Sequence, residues 1–161
     1  MNATDDDIAT IGAIISSAKI ALLTTQGEGG ALHSRPLRVQ EQEFDGTLWF
    51  FTQEPSEKTE EIAAHPQVNA SFESGKGYLS IAGTASIVRD EAKIDELWSK
   101  AVEAWFPEGR EDPTVALLKI DAESAEIWSV DEPRPVTLLK IAKAVVTGTQ
   151  PDAGDNKTVE L

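Results

Sequence analysis

The sequence predicts a mainly β fold: a small closed or split barrel of six or seven antiparallel strands with flanking helices. Two observations lead there. Short runs rich in Val, Ile, Leu, Thr and aromatic residues recur along the chain, punctuated by Gly, Asp and Pro turn signals. Between some of them lie stretches in which apolar residues return every three or four positions, the helical period. Antiparallel strands in this number, with helices set between them, fit a small barrel.

Thr4 or an early aspartate caps a first helix, whose acidic first turn suits the helix dipole and whose apolar face is Ile8, Ile11, Ile14 and Ile15. Ile20 to Thr25 is a strand, broken by the turn Gly27-Glu28-Gly29-Gly30. The next strand, about 31–42, reverses at Asp45-Gly46, a dipeptide favoured in tight hairpins, into a third from Thr47 to Thr52. These three form an antiparallel meander. Pro55-Ser56 opens a short helix through Ala64 with Ser56 as N-cap, and His65-Pro66 ends it, because a residue before proline is pushed out of the helical region. Val68 to Phe72 and Tyr78 to Val88 make a hairpin about Gly75-Lys76-Gly77. Asp90 caps a helix carrying Ile94, Leu97, Trp98, Val102 and Trp105. Strands at about 115–120 and 124–130 complete the sheet, and Val136 to Val146 is a last helix ended by Gly148. Gln150 to Leu161 is polar and lacks an apolar period, so the chain divides into one domain, residues 1–148, and a mobile polar tail, 149–161.

Composition narrows the function. A chain of 161 residues with 40% hydrophobic content can bury one sizeable core. No run approaches the roughly 18 apolar residues of a spanning helix, and the acidic start Met1-Asn2-Ala3-Thr4-Asp5-Asp6-Asp7 is unlike a signal peptide, so residence in the cytoplasm is expected. The absence of cysteine excludes disulfides, thiol catalysis and cysteine-ligated metals. Two histidines far apart, His33 and His65, are too few for a histidine-rich metal site, and no nucleophile elbow accompanies them. A net charge of −14 argues against binding nucleic acid or an anionic membrane. A phosphorylated ligand must then rely on local cations, which between residues 20 and 75 are only Arg35, Arg38 and Lys58.

Those cations flank an aromatic strand. Arg35 offers a planar fork to phosphate oxygens, and Pro36 stiffens the chain after it. Lys58 falls in a helix first turn, where backbone amides also attract anions, with the Ser56 hydroxyl nearby. Leu48-Trp49-Phe50-Phe51-Thr52 runs between them, and alternation puts Phe50 and Phe51 on opposite faces, one of them in the core. An aromatic wall with cations and hydroxyls suits a flat dye that carries a phosphate. As bare features, Arg35 has the lesser alternative of an edge-strand surface residue, whereas a lysine such as Lys58 in a helix first turn is more often solvated.

The order His33-Ser34-Arg35-Pro36-Leu37-Arg38-Val39-Gln40, then the aromatic strand, then Ser56-Glu57-Lys58, resembles the FMN-binding split barrels, the pyridoxamine 5'-phosphate oxidase-like proteins. Gly83-Thr84-Ala85, Trp105-Phe106-Pro107-Glu108-Gly109 with Asp112-Pro113, and Ala125-Glu126-Ile127-Trp128 point within it to the general stress protein 26 group. The resemblance spans about residues 5–148. It implies a homodimer with FMN or FAD in a groove between the subunits, its phosphate on Arg35 and Lys58. Further cofactor contacts are implied for Pro36, Leu37, Gln40, Phe51, Thr52 and Ser56, and for Trp128 across the subunit boundary; by itself Trp128 reads equally as a core residue of the last strand.

Two departures bear on chemistry. Gln40 stands where the oxidases carry a lysine, although its amide can still pair with the pyrimidine edge of a flavin. The oxidases' substrate-binding Arg-x-His-x-Arg run after the tryptophan is replaced by Ser129-Val130-Asp131-Glu132-Pro133-Arg134-Pro135, which has no histidine. The expectation is a stress-associated flavin-binding protein with low or unassigned flavin-dependent oxidoreductase activity, not a pyridoxamine phosphate oxidase, and no catalytic residue is assigned. The alternatives are a non-enzymatic flavin carrier or sensor, and an F420-dependent reductase, whose longer acidic cofactor wants more basic residues than this chain offers.

Overall fold

The computed structural model describes residues 2–129 and 155–161. The expected helix over Val136–Val146 and its Gly148 cap lie outside them. Helix α1 (Asp5–Ala18) begins at Thr4, whose hydroxyl accepts from the Asp7 amide while the Asp7 carboxylate accepts from the Thr4 amide. Ile11, Ile14 and Ile15 are buried on its inner face. Then come β1 (Ile20–Gln26), β2 (Leu32–Arg38), β3 (Thr47–Gln53), α2 (Glu57–Ala64), β4 (Gln67–Ser74) and β5 (Gly77–Val88). Helices α3 (Glu91–Leu97) and α4 (Lys100–Glu103) precede the long strand β6 (Val115–Ser129), and β7 (Asp155–Glu160) ends the chain.

The seven strands of the described residues join one antiparallel sheet in the order β2-β1-β4-β5-β6-β3, with β7 also on β6. The mainly β split-barrel expectation stands, but the meander does not. β3 pairs with β6 instead of β2, which leaves β2 and β3 as opposite edges of a curled sheet that approach each other across a groove. The reason lies in residues 39–46. Phe44 is buried near Gly12 of α1, and Gly46, at φ 98°, hands the chain to β6 through the Ala122 amide at 2.9 Å. The Asp45-Gly46 turn was legible; its partner strand was not.

Three further expectations are corrected. The single helix after Asp90 is two, because Trp98 is extended and the Ser99 hydroxyl caps a new helix at the Val102 amide. The strands at 115–120 and 124–130 are one strand, and what looked like a break is a bulge: Ala82 faces Ser124 while Gly83 faces Ala122, leaving Glu123 as the extra residue. Within the tail, residues 155–160 are β7. Val159 is fully buried, and Lys157 ion-pairs with Asp7 at 2.8 Å. A polar strand is stable here because, among its residues of described burial, only Val159 must leave water.

The core lies between the inner sheet face and α1 and contains Leu23, Phe50, Ile81, Leu118 and Ile120, all fully buried. Each such side chain contributes roughly 1.5–3 kcal/mol by leaving water. A second cluster, Ile94, Leu97, Val102, Phe106, Val115 and Leu117, seats α3 and α4 beside β3. Among the described residues no helix is long and apolar enough to cross a membrane.

Candidate functional site

Strand alternation puts His33, Arg35 and Leu37 on one face of β2, and register puts Leu23 opposite Arg35 and Thr25 opposite His33. An inward-facing cation needs a counter-charge, which α2 supplies. Ser56 caps that helix by accepting from the Thr59 amide, and one turn later the Glu61 side chain lies only 8% exposed. Glu61 Oε2 accepts from Arg35 Nη2 at 3.0 Å and from the Thr25 hydroxyl, while Oε1 meets His33 Nδ1 at 2.5 Å. These donors, Thr25 foremost, hold the Glu61 carboxyl down to about 2, against the opposing effect of burial.

Lys58 stands beside this network. Burial and the neighbouring Arg35 guanidinium both lower its affinity for a proton, and it has no ion-pair partner among the described residues. Among the described residues this half-buried ammonium, beside a guanidinium already paired with Glu61, has no carboxylate of its own.

That centre opens on a groove of about 460 Å³ between the two sheet edges. Pro36, Leu37, Arg38 and Gln40 form one wall, and Phe51, Thr52 and Gln53 of β3 the other. Lys58 closes one side, while Ala101, Val102, Trp105 and Phe106 of the α4 region close another. The Phe51 ring meets Trp98 edge-on at 5.6 Å and Phe106 at 6.3 Å, which fixes the aromatic wall. Trp105, 75% exposed, stands at the mouth. Volume, apolar lining and a few convergent polar groups are those of a small-molecule site.

A larger groove of about 770 Å³ runs between α1 and residues 38–44 and meets the first at Arg38 and Gln40. It is poorly matched to phosphate, since Asp5, Glu41 and Glu43 outnumber Lys19 and Arg38 in its walls. His33, Glu57 and Glu61 bring possible metal-ligand atoms within 4.8 Å of one another. Arg35 and Thr25 already occupy the buried carboxylate, however, so its charge is compensated by a guanidinium.

Of the nine residues expected from sequence, the structure brings Pro36, Leu37, Gln40, Phe51, Thr52 and Lys58 together around the first groove. Arg35 lies behind them, beside Lys58 and paired with Glu61. The Ser56 hydroxyl is engaged in the helix cap. Trp128 is elsewhere, 37% exposed on the outer sheet face, across from Tyr78 and Asn156. Phe50 is the core member of the Phe50–Phe51 pair. Trp105 and Phe106, which the sequence offers as residues that pack at a subunit interface or shape the groove's mouth, do line the groove, whereas Thr25, Glu61, Ala101 and Val102 were missed: no apolar period marks Glu61 as inward-facing in the polar run Glu57-Lys58-Thr59-Glu60-Glu61.

A curled antiparallel sheet with an aromatic, cation-bearing groove between its edge strands defines the split-barrel class. Residues 6–152 match the family model described as pyridoxamine 5'-phosphate oxidase like. The chain belongs to that family, on its general stress protein 26 branch. General stress protein 26 of Bacillus subtilis (strain 168) is 30% identical over 131 residues, covering 78% of this chain and 90% of that protein. The solved structure of a candidate general stress protein 26 from Jannaschia sp. CCS1 is similar at TM-score 0.74 and 29% identity, over 98% of this chain and all of that one. The general stress FMN/FAD binding protein of Xanthomonas citri is similar at TM-score 0.71 and 30% identity, over 81% of this chain and 93% of that one.

Proposed function

We propose that this chain binds a flavin nucleotide, FMN or FAD, in the groove between β2 and β3 and serves in the cytoplasm as a stress-associated flavoprotein of low oxidoreductase activity. The observation that carries the reading is the half-buried Lys58 ammonium, next to Arg35 and without an ion-pair partner among the described residues, at the end of an aromatic groove. A flavin phosphate supplies the missing charge, and its ring system suits the wall of Pro36, Leu37, Phe51 and Trp105. Gln40 and Thr52 offer polar groups to a ring edge. A bound flavin brings the redox chemistry, and the protein contributes binding, orientation and polarity.

Ile20, Leu22, Tyr78 and Trp128 are exposed on the outer face of the sheet, a surface suited to a second copy of the chain. In that homodimer Trp128 extends toward the partner's groove. Pyridoxamine phosphate oxidation is not part of the proposal, because the substrate-binding run is missing after Trp128.

The test is the visible spectrum of purified protein, followed by titration with FMN and with riboflavin, which lacks the phosphate. Flavin absorbance and tighter FMN binding are expected. Arg35→Ala should weaken FMN by about tenfold to a hundredfold, the equivalent of one hydrogen bond to a charged group. Equal affinities for the two flavins would refute the phosphate clamp.

A further inference from the structure

Glu61 is a buried carboxylate at the phosphate end of the groove, and the proposed function does not by itself require it. Its usual explanation would be that of a counter-ion neutralising Arg35. The hydrogen bonds say more. Arg35 Nη1 donates to the Thr25 hydroxyl and, at 3.2 Å, to the His33 carbonyl, while Nη2 donates to Glu61 Oε2 at 3.0 Å. Thr25 in turn donates to that same Glu61 oxygen. One edge of the guanidinium, the one carrying both terminal nitrogens, is therefore fully held.

A guanidinium has five N–H donors in a rigid plane, so with three engaged, two remain without a partner among the described residues: Nε–H and the second N–H of Nη2. These two lie parallel on one side of the plane, the arrangement that grips an oxyanion through two bonds at once. Glu61 is itself locked, since His33 Nδ1 meets its other oxygen at 2.5 Å. Gly27 makes room for that contact: a Cβ there would lie 2.9 Å from His33 Cε1 and 3.0 Å from Glu61 Oε1.

We infer that Glu61 is the positioning residue of the phosphate clamp, which with Thr25 fixes one edge of Arg35 so that its Nε/Nη2 side is offered to the phosphate. This rests on the flavin reading above. The two roles open to Glu61 differ in sign. Loss of a passive counter-ion leaves Arg35 and Lys58 uncompensated and raises the preference for a phosphorylated flavin. Loss of a positioning residue frees the guanidinium to rotate and lowers it.

The experiment measures dissociation constants of FMN and riboflavin for the full chain by isothermal titration calorimetry near neutral pH. Glu61→Ala should reduce the FMN-over-riboflavin preference about tenfold and leave riboflavin binding within about threefold, a readout that general destabilisation would not produce. Glu61→Gln should keep most of the preference, because one amide oxygen can accept from both Thr25 and Arg35 while the amide N–H faces His33. If Glu61→Ala fails to fold, Thr25→Val, which removes the hydroxyl joining Glu61 to Arg35, carries the same expectation. A preference retained or increased in Glu61→Ala, or in Thr25→Val where that variant stands in, overturns the positioning role alone. Wild-type protein showing no preference for FMN overturns the clamp and the inference together.

Discussion

Replacing Gly83 by alanine tests the bulge that lets β6 run unbroken beneath both β5 and β3. A Cβ built on Gly83 falls 2.3 Å from the Asp121 carbonyl oxygen and 3.1 Å from Ala122 Cα. Both neighbours are backbone, so no side chain can swing aside. Restoring an ordinary contact of 3.4 Å means moving the strand by roughly 1.1 Å, at a point where Asp121 also pairs with Thr47 of β3 and the Ala122 amide bonds to Gly46 at 2.9 Å. Two weakened ladder bonds at about 0.5–1.5 kcal/mol each and overpacking of about 1–3 kcal/mol are partly offset by the alanine's stiffer unfolded chain, about 0.4–1 kcal/mol. The expected net loss is about 1–5.5 kcal/mol, or about 2–22 °C in Tm for a chain of this length. Urea and thermal melts followed by circular dichroism measure it, with Gly75→Ala as control, where a Cβ meets nothing within 4 Å. If Gly83→Ala melts within about 0.5 kcal/mol of wild type, the range of neutral surface changes, the steric account of the bulge is wrong.

Three other outcomes are expected. Folded-state pKa values are depressed for Glu61, from 4.5 to about 2, and for Asp7, from 3.8 to about 2, the latter chiefly by Lys157. Their stabilisation is complete above the unfolded values and lost as pH falls from about 4.5 toward 2, so Tm should drop steeply across that window; a flat Tm down to about pH 2.5 would contradict both networks. Light scattering at micromolar concentration should report a dimer, and Trp128→Asp should shift it toward monomer; a monomeric wild type removes the two-chain groove. Flavin-loaded protein mixed with pyridoxamine 5'-phosphate under air should form no pyridoxal 5'-phosphate. Turnover at about 1 per second or above, within the ordinary enzyme range, would mean that other residues replace the missing run.

Much of the architecture is written locally, and local rules read it well. Thr4 and Ser56 are caps because a short hydroxyl side chain before a helix can satisfy an orphan amide. The alternation in β1 and β5 marks Leu23, Leu79 and Ile81 as core because a strand shows its two faces in turn. Arg35, Lys58 and the aromatic strand were legible as residue types in order, and six of the nine expected site residues share one groove.

What the sequence could not carry was the pairing of distant segments. Whether Thr47–Gln53 lies against β2 or against β6, some 70 residues on in sequence, depends on which arrangement buries Phe44 and Phe50 together; the Asp45-Gly46 turn is compatible with either. β7 reads as a polar tail because, among its residues of described burial, Val159 alone is deeply buried and leaves no period to detect, and its stability comes from β6 and Asp7 far away in the chain. Glu61 looks like one solvated acid among several until α2 packs on β2 and turns it toward Arg35. Sequence alone determined the caps, the strand faces and the kinds of chemistry available, since these depend on neighbours a few residues apart. Tertiary structure decided which strands meet, which charges are buried and which of them are left facing the groove, because those depend on contacts between residues that only the folded chain brings together.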